Sequence, residues 1–235
     1  MSQPKYHRVL LKLSGEALAA ENGILNFDFV EKIAKQIHRC VKEGVQVAVI
    51  VGAGNIWRGR QGGKMEHSRA DHMGMLATVI NAIALEDIFI AEGMEATVFS
   101  AVPMETFADT YTARGAVAAL EAGKVVIFGA GLGSPYFSTD TAAVLRAAEI
   151  GADCILMAKN IDAIYSDDPK KNPAAVRYTD LTYRRMIDEN LHALDMTATI
   201  FCMENGIRGF AFGLSDPENI YRAVMGDAVG TEIHN

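Results

Sequence analysis

The chain has 235 residues, of which 50% are hydrophobic and 22% are charged, as expected for one large globular domain. Its formal net charge of -7 argues against non-specific binding to nucleic acid or to an anionic membrane, because both depend on summed positive potential. A phosphate-bearing ligand would therefore have to meet local cations and backbone N–H groups.

The cysteines indicate a reducing compartment. Cys40, Cys154 and Cys202 are far apart and stand beside apolar residues, so neither a disulfide framework nor metal-ligand spacing is visible. The apolar residues near the amino terminus are interrupted by Lys12 and Glu16, which argues against a signal peptide. No uninterrupted apolar run approaches the ~18 residues of a membrane span. We expect a cytoplasmic protein with no membrane partner.

Short β-rich runs alternate with helical patterns along almost the whole chain. This order predicts an α/β fold, in which a mainly parallel central sheet is sandwiched by helices. The candidate strands are Arg8–Leu13, Val45–Val51, Ala96–Phe99, Val125–Phe128, Cys154–Met157 and Gly209–Phe212. No linker or repeat divides the chain, so we expect a single domain, 1–235, in which a cut near Gly129–Gly133 would separate two lobes.

The first helix is predicted from the apolar spacing that follows Asp28. Asp28 and Glu31 offer a capping pair, and Gly44 should end the helix. The stretch from Tyr165 to Thr182 has little apolar periodicity and is rich in Asp, Asn and Pro. It predicts a long functional loop.

Two further helix starts carry acidic residues. Asp71 opens a long apolar helix, where it could be no more than a cap. Ser138 or Thr139 should be the N-cap of another helix, with Asp140 in the first turn. Asp140 in that position would stabilise any helix, so the spacing alone assigns it no chemistry.

Three glycine-bearing turns follow predicted strands: Lys12–Gly15, Gly52–Asn55 and Gly129–Gly133. In an open parallel sheet all three would lie at the carboxyl edge, where ligands bind. Glycine lets backbone amides approach phosphate oxygens, and the helix N-termini that follow add favourable dipoles. Any one of these glycines could serve only a tight turn, but three together favour a polyphosphate site.

Familiar nucleotide motifs are absent. The chain contains no Gly-x-x-x-x-Gly-Lys-Ser/Thr string, and the dinucleotide fingerprint fails because Trp57 and Ser134 occupy the third glycine positions. Asp71 nevertheless lies close to the ~20-residue distance of a ribose-binding acid, so a nicotinamide-dependent oxidoreductase remains an alternative. Lys12 and Arg58, each beside a glycine turn, are candidate phosphate cations.

Taken in order, several strings resemble the bacterial UMP kinases of the amino-acid kinase family. The resemblance runs from about residue 5 to residue 233, and the string Asp71-His72-Met73-Gly74-Met75 is its most specific part. The other matching strings are Leu11-Lys12-Leu13-Ser14-Gly15-Glu16, Gly52-Ala53-Gly54-Asn55 with Arg58-Gly59, Pro135-Tyr136-Phe137-Ser138-Thr139-Asp140 and Tyr165-Ser166-Asp167-Asp168-Pro169.

The resemblance implies an amino-acid kinase fold and transfer of a phosphoryl group from ATP, with Mg²⁺, to UMP in pyrimidine nucleotide biosynthesis. It implies catalytic roles for Lys12, Arg58 and Asp140, an acceptor-binding lobe at about 1–130 and an ATP-binding lobe at about 131–235. The implied ATP-binding residues are Lys12, Leu13, Ser14, Gly15, Gly54, Arg58, Asn160, Tyr165 and Asp168. The implied UMP-binding residues are Ala53, Asp71, Leu132, Gly133, Ser134, Pro135, Tyr136, Phe137, Ser138 and Thr139.

The chain departs from the family pattern at three places. Ala53 stands where a third consecutive glycine is usual, Leu132 where a threonine is common, and the loop 159–162 is one residue shorter than in many relatives. A backbone N–H contact survives the first two changes, whereas a side-chain hydroxyl contact at Leu132 does not.

The resemblance also implies a homohexamer under allosteric control by nucleotides such as GTP and UTP. The alternatives are a kinase of the same family with another small acceptor, the nicotinamide enzyme, and a nucleotide-sensing module without turnover.

Overall fold

A single nine-stranded sheet organises the part of the chain described by the computed structural model, residues 3–21, 23–57, 63–191 and 193–235. The strand order is β4-β3-β5-β2-β1-β6-β10-β11-β9, and the pairs from β4 to β10 are parallel. The strands are β1 Arg8–Leu13, β2 Gln46–Val51, β3 Ala96–Ser100, β4 Asp109–Thr110, β5 Val125–Gly129, β6 Cys154–Lys159, β7 Ile164–Tyr165, β8 Arg177–Tyr178, β9 Asp180–Thr182, β10 Gly209–Gly213 and β11 Gly230–His234.

All six predicted strands are present: Arg8–Leu13 has the predicted bounds, and the other five differ from the prediction by one or two residues at one end. The predicted α/β class is confirmed. β11 runs antiparallel to β10 and extends the sheet at that side. The strands that sequence reasoning missed are short or lie at the sides of the sheet, where apolar patterning is weak.

Helices cover both faces of the sheet. Buried side chains of α1, α2 and α7 form one core layer, and those of α3, α4, α5 and α6 form the other. The helices are α1 Phe27–Lys42, α2 His67–Ala91, α3 Ala113–Glu121, α4 Thr139–Glu149, α5 Tyr183–Asp188, α6 Met196–Asn205 and α7 Glu218–Met225. Strands such as β5, buried along their whole length, fit between these layers.

Two predicted helix starts were wrong. Asn26, not Asp28, is the N-cap of α1, and its side chain accepts a hydrogen bond from the Phe29 N–H. α2 begins at His67 with Glu66 as its N-cap, so Asp71 lies in the second turn and is no cap. Both helices therefore begin earlier in the sequence than the apolar pattern predicted.

The segment from Tyr165 to Thr182 is more ordered than the predicted loop. It contains the antiparallel pair β7–β8, and β9 joins the main sheet beside β11. These strands have only two or three residues each, too few for a period-two pattern to be recognised.

By length and mean hydropathy, 1.7 over its most apolar window, α2 could cross a membrane. Its contacts are those of a core helix, since it packs on β5, β3 and β2. All three cysteines are buried free thiols.

Candidate functional site

The predicted glycine turns meet at one edge of the sheet. β5, β2, β1 and β6 are consecutive neighbours, so the segments that leave their carboxyl ends lie side by side. From one side to the other these are the turn 129–133, the turn 52–55, the turn 14–15 and the segment after Lys159. The order of the strands reverses around β1, which is the place where open α/β sheets bind ligands.

The turns 14–15 and 52–55 are in direct backbone contact. A Cβ on Gly15 would lie 2.6 Å from both the Gly52 carbonyl oxygen and the Gly54 nitrogen. A Cβ on Gly54 would lie 2.7 Å from the side chain of Glu16. Close backbone packing of the turns therefore requires glycine at position 15, and a side chain at position 54 would displace Glu16, whatever ligand the turns bind.

Lys12 and Asp140 form an ion pair above the turns. Lys12 Nζ lies 2.6 Å from Asp140 Oδ1, and both side chains are largely buried, with 13% and 19% exposed. Burial raises the pKa of the Asp140 carboxyl, but the Lys12 ammonium, the charge of Lys159 and the Asp195 N–H together hold that pKa below its usual value. Asp140 is therefore ionised and fixes the Lys12 ammonium at the edge of the sheet.

Two helix N-termini face the same place. Ser138, one of the two predicted candidates, is the N-cap of α4, and its hydroxyl accepts a hydrogen bond from the Thr141 N–H. Asp195 is the N-cap of α6 and accepts from the Ala198 N–H. The Ser138 hydroxyl donates to Asp195, and the Asp195 N–H donates to Asp140. The two N-termini thus add positive potential beside the ion pair.

A cavity of about 230 Å³ lies on the β5 side of the ion pair. We call it the acceptor cavity. Its lining holds seven of the predicted UMP-binding residues, namely Ala53, Asp71, Leu132, Ser134, Phe137, Ser138 and Thr139. Gly133, Pro135 and Tyr136 lie in the same loop but outside the lining. Trp57, which the sequence did not indicate, also lines the cavity and donates its indole N–H to the Ala70 carbonyl.

Asp71 ties α2 to the loop that closes this cavity. Its Oδ2 atom accepts a hydrogen bond of 2.8 Å from the Tyr136 N–H. Tyr136 has a φ of 70°, a left-handed conformation that is uncommon for a bulky residue. The carboxylate therefore stabilises a strained backbone as well as lining the cavity.

A second cavity, of about 570 Å³, lies on the β6 side, and we call it the donor cavity. The predicted adenosine-binding residues Asn160, Tyr165 and Asp168 all line it. The Tyr165 hydroxyl donates to Asp162, which fixes the ring at the wall. Lys159 lines the cavity too, at the end nearest the Lys12–Asp140 pair.

α2 holds two of the turns through buried polar side chains that sequence reasoning missed. The Thr78 hydroxyl accepts from the N–H of Ala130, whose φ is 61°. Asn81, fully buried, donates to the Gly52 carbonyl and exchanges two hydrogen bonds with Asn55. A polar residue such as Asn81 within the apolar part of α2 could have indicated these buried hydrogen bonds.

Replacing Asn81 with alanine should lower the free energy of unfolding by about 1–3 kcal/mol, because it leaves the Gly52 carbonyl and the Asn55 amide without their buried partner. Urea unfolding monitored by circular dichroism measures the change. Asn205→Ala is the matched control, since Asn205 is exposed and its side chain bonds only within α6. Equal small effects for both variants would contradict the role given to Asn81.

Arg58, predicted as a phosphate cation, lies outside the described residues. The other predicted phosphate-side residues lie at the end of β1 and in the two contacting turns. They are Leu13, Ser14, Gly15 and Gly54.

Comparison with known proteins gives the class of protein that this fold and site define. Residues 7–212 match the amino acid kinase family. The chain belongs to the amino acid kinase family.

Solved structures of UMP kinases resemble the chain. The UMP kinase of Bacillus anthracis is 35% identical with a TM-score of 0.94, over 97% of this chain and 96% of that one. The UMP kinase of Ureaplasma parvum is also 35% identical with a TM-score of 0.94, over 98% and 100%. The uridylate kinase of Archaeoglobus fulgidus is 27% identical with a TM-score of 0.74, over 96% and 99%. These relatives support neither the nicotinamide enzyme nor a kinase for another acceptor.

Proposed function

We propose that the protein is a UMP kinase, a nucleoside monophosphate kinase that transfers the γ-phosphoryl group of ATP to UMP and forms ADP and UDP. One observation carries the proposal: a donor cavity and an acceptor cavity lie on opposite sides of one buried Lys12–Asp140 pair. The 35% identity to UMP kinases over nearly the whole chain supports UMP as the acceptor.

The chemistry depends mainly on charge and alignment. Phosphoryl transfer passes through a loose transition state whose charge lies on the equatorial oxygens. Lys12, held by Asp140, would balance that charge, and Arg58 would assist it. The backbone amides of the contacting turns would align the donor and the acceptor, and the N-termini of α4 and α6 add favourable dipoles. No general base is required, because the UMP phosphate oxygen is already an anion near neutral pH.

Mg²⁺ would reach this site with ATP. Magnesium keeps several waters and is commonly held by substrate phosphates with one or two carboxylates. Asp140 offers a carboxylate at the phosphate end, which it could present through bound water, so the residues present fit a metal carried by the nucleotide. When bound, Mg²⁺ neutralises phosphate charge.

A two-substrate assay tests the function. Purified protein is incubated with MgATP and, in turn, UMP, CMP, AMP, GMP, carbamate, glutamate or aspartate, and ADP formation is followed. We expect kcat/KM for UMP to exceed every other value. Turnover with carbamate, glutamate or aspartate instead would contradict the proposal, and binding without turnover would leave only the nucleotide-sensing module.

We further infer two lobes, an acceptor-binding one at about 1–130 and an ATP-binding one at about 131–235. The donor cavity is lined entirely by residues after 158, in agreement with this division. The acceptor cavity is lined by residues from 53 to 139, so its closing loop comes from the second lobe.

The outer side of α2 supports self-association. Five apolar residues recur on it at spacings of three, four, three and seven, and each is at least 38% exposed. They are Met73, Leu76, Ile80, Ile83 and Ile90. These spacings fit a heptad pattern with one position skipped, and the heptad period of 3.5 residues is the one at which helices pack against each other. We infer a homo-oligomer, with a hexamer as the family expectation and with nucleotide effectors such as GTP and UTP as candidate regulators.

The oligomer is expected to persist at micromolar concentration and to break down when the stripe is made polar. Light scattering of Leu76→Glu with Ile80→Glu should give a smaller mass than the parent protein. Glu31→Gln, on the exposed side of α1, is the control. A parent protein that is monomeric at these concentrations would refute the inference.

The cytoplasm is the compartment we propose. The three buried free thiols suit a reducing environment.

A further inference from the structure

Lys159 is the last residue of β6, and Lys12 is the last but one of β1. The two strands are parallel neighbours in which Lys12 pairs with Met157, so Lys159 lies two residues further along. Side chains alternate between the two faces of a strand, and Leu10 and Met157 both belong to the core layer beneath α3–α6. Lys12 and Lys159 therefore project to that same face, as diagonal neighbours on adjacent strands.

The surroundings of Lys159 leave its charge poorly balanced. The Lys159 ammonium donates to the Ala193 carbonyl, and within the described residues it forms no ion pair closer than 4 Å. Lys12 from β1 and Asp140 from α4 are the charged groups that act on it, and the facing strand β10 contributes the uncharged Ala211 and Gly213. Burial first, and then the charge of Lys12, lower the pKa of Lys159 to about 8.

Such a group fits an anionic ligand. An ammonium has three N–H donors, and the bond to Ala193 uses one of them. The donor cavity that Lys159 lines also carries the carboxylates of Asp167, Asp168 and Glu189. Those carboxylates suit sugar hydroxyls and repel phosphates, so the phosphate chain of a nucleotide is favoured at the lysine end of the cavity.

We propose that Lys159 binds the phosphate chain of the donor nucleotide, as a second cation beside Lys12. The proposal rests on the proposed function only in that the donor is a nucleoside triphosphate. An anion beside two lysines favours the charged form of both, so the bound phosphates raise the pKa of Lys159 and the protein takes up a proton. The contact exists in the bound ground state, and it should therefore change KM for ATP more than kcat.

Binding of MgADP to Lys159→Met tests the contact without turnover. Titration calorimetry at pH 8, in two buffers of different ionisation enthalpy, gives both the Kd and the protons taken up. We expect Kd to rise about 10-fold or more, as for loss of one charge-assisted bond. Proton uptake should fall from about half a proton per site, set by a pKa near 8, to almost none. KM for ATP should rise while KM for UMP stays within about twofold.

Two further variants separate binding from a purely structural bond to Ala193. Lys159→Arg keeps the charge at every pH, so it should retain most of the MgADP affinity and lose the proton uptake. Lys35→Met, an exposed lysine on α1, should match the parent in every respect. A correctly folded Lys159→Met that binds MgADP with parental affinity and parental proton uptake would overturn the proposal. Because MgADP binding involves no acceptor, this result is independent of whether UMP is the acceptor.

Discussion

Lys12→Ala is expected to lower kcat by ~10²-fold or more while the fold stays intact, since loss of one electrostatic donor at a transition state commonly has that cost. Lys12 lies near the carboxyl end of β1, between β2 and β6, and its ammonium is held by Asp140 at 2.6 Å. Its charge matters most when the transferring group carries negative charge between donor and acceptor. Steady-state kinetics with MgATP and UMP, together with circular dichroism, measure the effect.

Asp140→Asn provides the companion measurement to Lys12→Ala. It keeps the Lys12 charge and an oxygen for the Asp195 N–H, but it removes the ionic partner that positions the ammonium. We expect a kcat loss smaller than that of Lys12→Ala. A folded Lys12→Ala with near-parental kcat would remove Lys12 from the mechanism.

Asp71→Ala should raise KM for UMP by about 10–150-fold, the equivalent of about 1.5–3 kcal/mol for one charge-assisted hydrogen bond. A carboxylate in the acceptor cavity can accept hydrogen bonds from the UMP ribose hydroxyls. It also accepts a hydrogen bond from the N–H of Tyr136, whose backbone is strained. Both effects lie on the acceptor side, so KM for ATP should change little. Separate titrations of UMP and ATP in steady-state assays distinguish the two substrates.

Asp71→Asn distinguishes the hydrogen bond of Asp71 to the loop from its contact with the ligand. The amide oxygen can still accept from Tyr136, whereas the negative charge is lost, so an intermediate KM for UMP is expected. If ATP binding weakened and UMP binding stayed intact, the acceptor-side assignment of Asp71 would be wrong.

Strand positions could be predicted because buried strands read as short apolar runs between turn residues. Val125–Phe128, buried on both faces, was found for that reason, and its turn reached the predicted edge of the sheet. β7, β8 and β9 were missed because two or three residues are too few to show a periodicity. The N-caps of α1 and α2 were missed for another reason, although Ser138 was among the predicted caps of α4: Asn26 and Glu66 have several polar neighbours, and only the backbone geometry selects one of them.

Site residues at the ends of strands could be predicted from the sequence, whereas site residues that act through helix packing could not. Lys12 stands out as a charged residue near the end of an apolar strand, and Lys159 is a charged residue at the end of β6, so the same signal could have found both. Thr78 and Asn81 act through hydrogen bonds to turns some 30 to 50 positions away in the sequence. Spacing along the chain holds no information on such long-range partners.

The close backbone contact between Gly15 and the turn at Gly52 and Gly54 has a consequence for the rate of the reaction. A side chain on Gly15 would clash with the backbone of the second turn at 2.6 Å, and no side-chain rotation could relieve that clash. The N–H groups of both turns therefore lie close together once the chain is folded. The entropy of orienting these dipoles is lost at folding and not in each catalytic cycle, so the site is preorganised for the charge of the transition state.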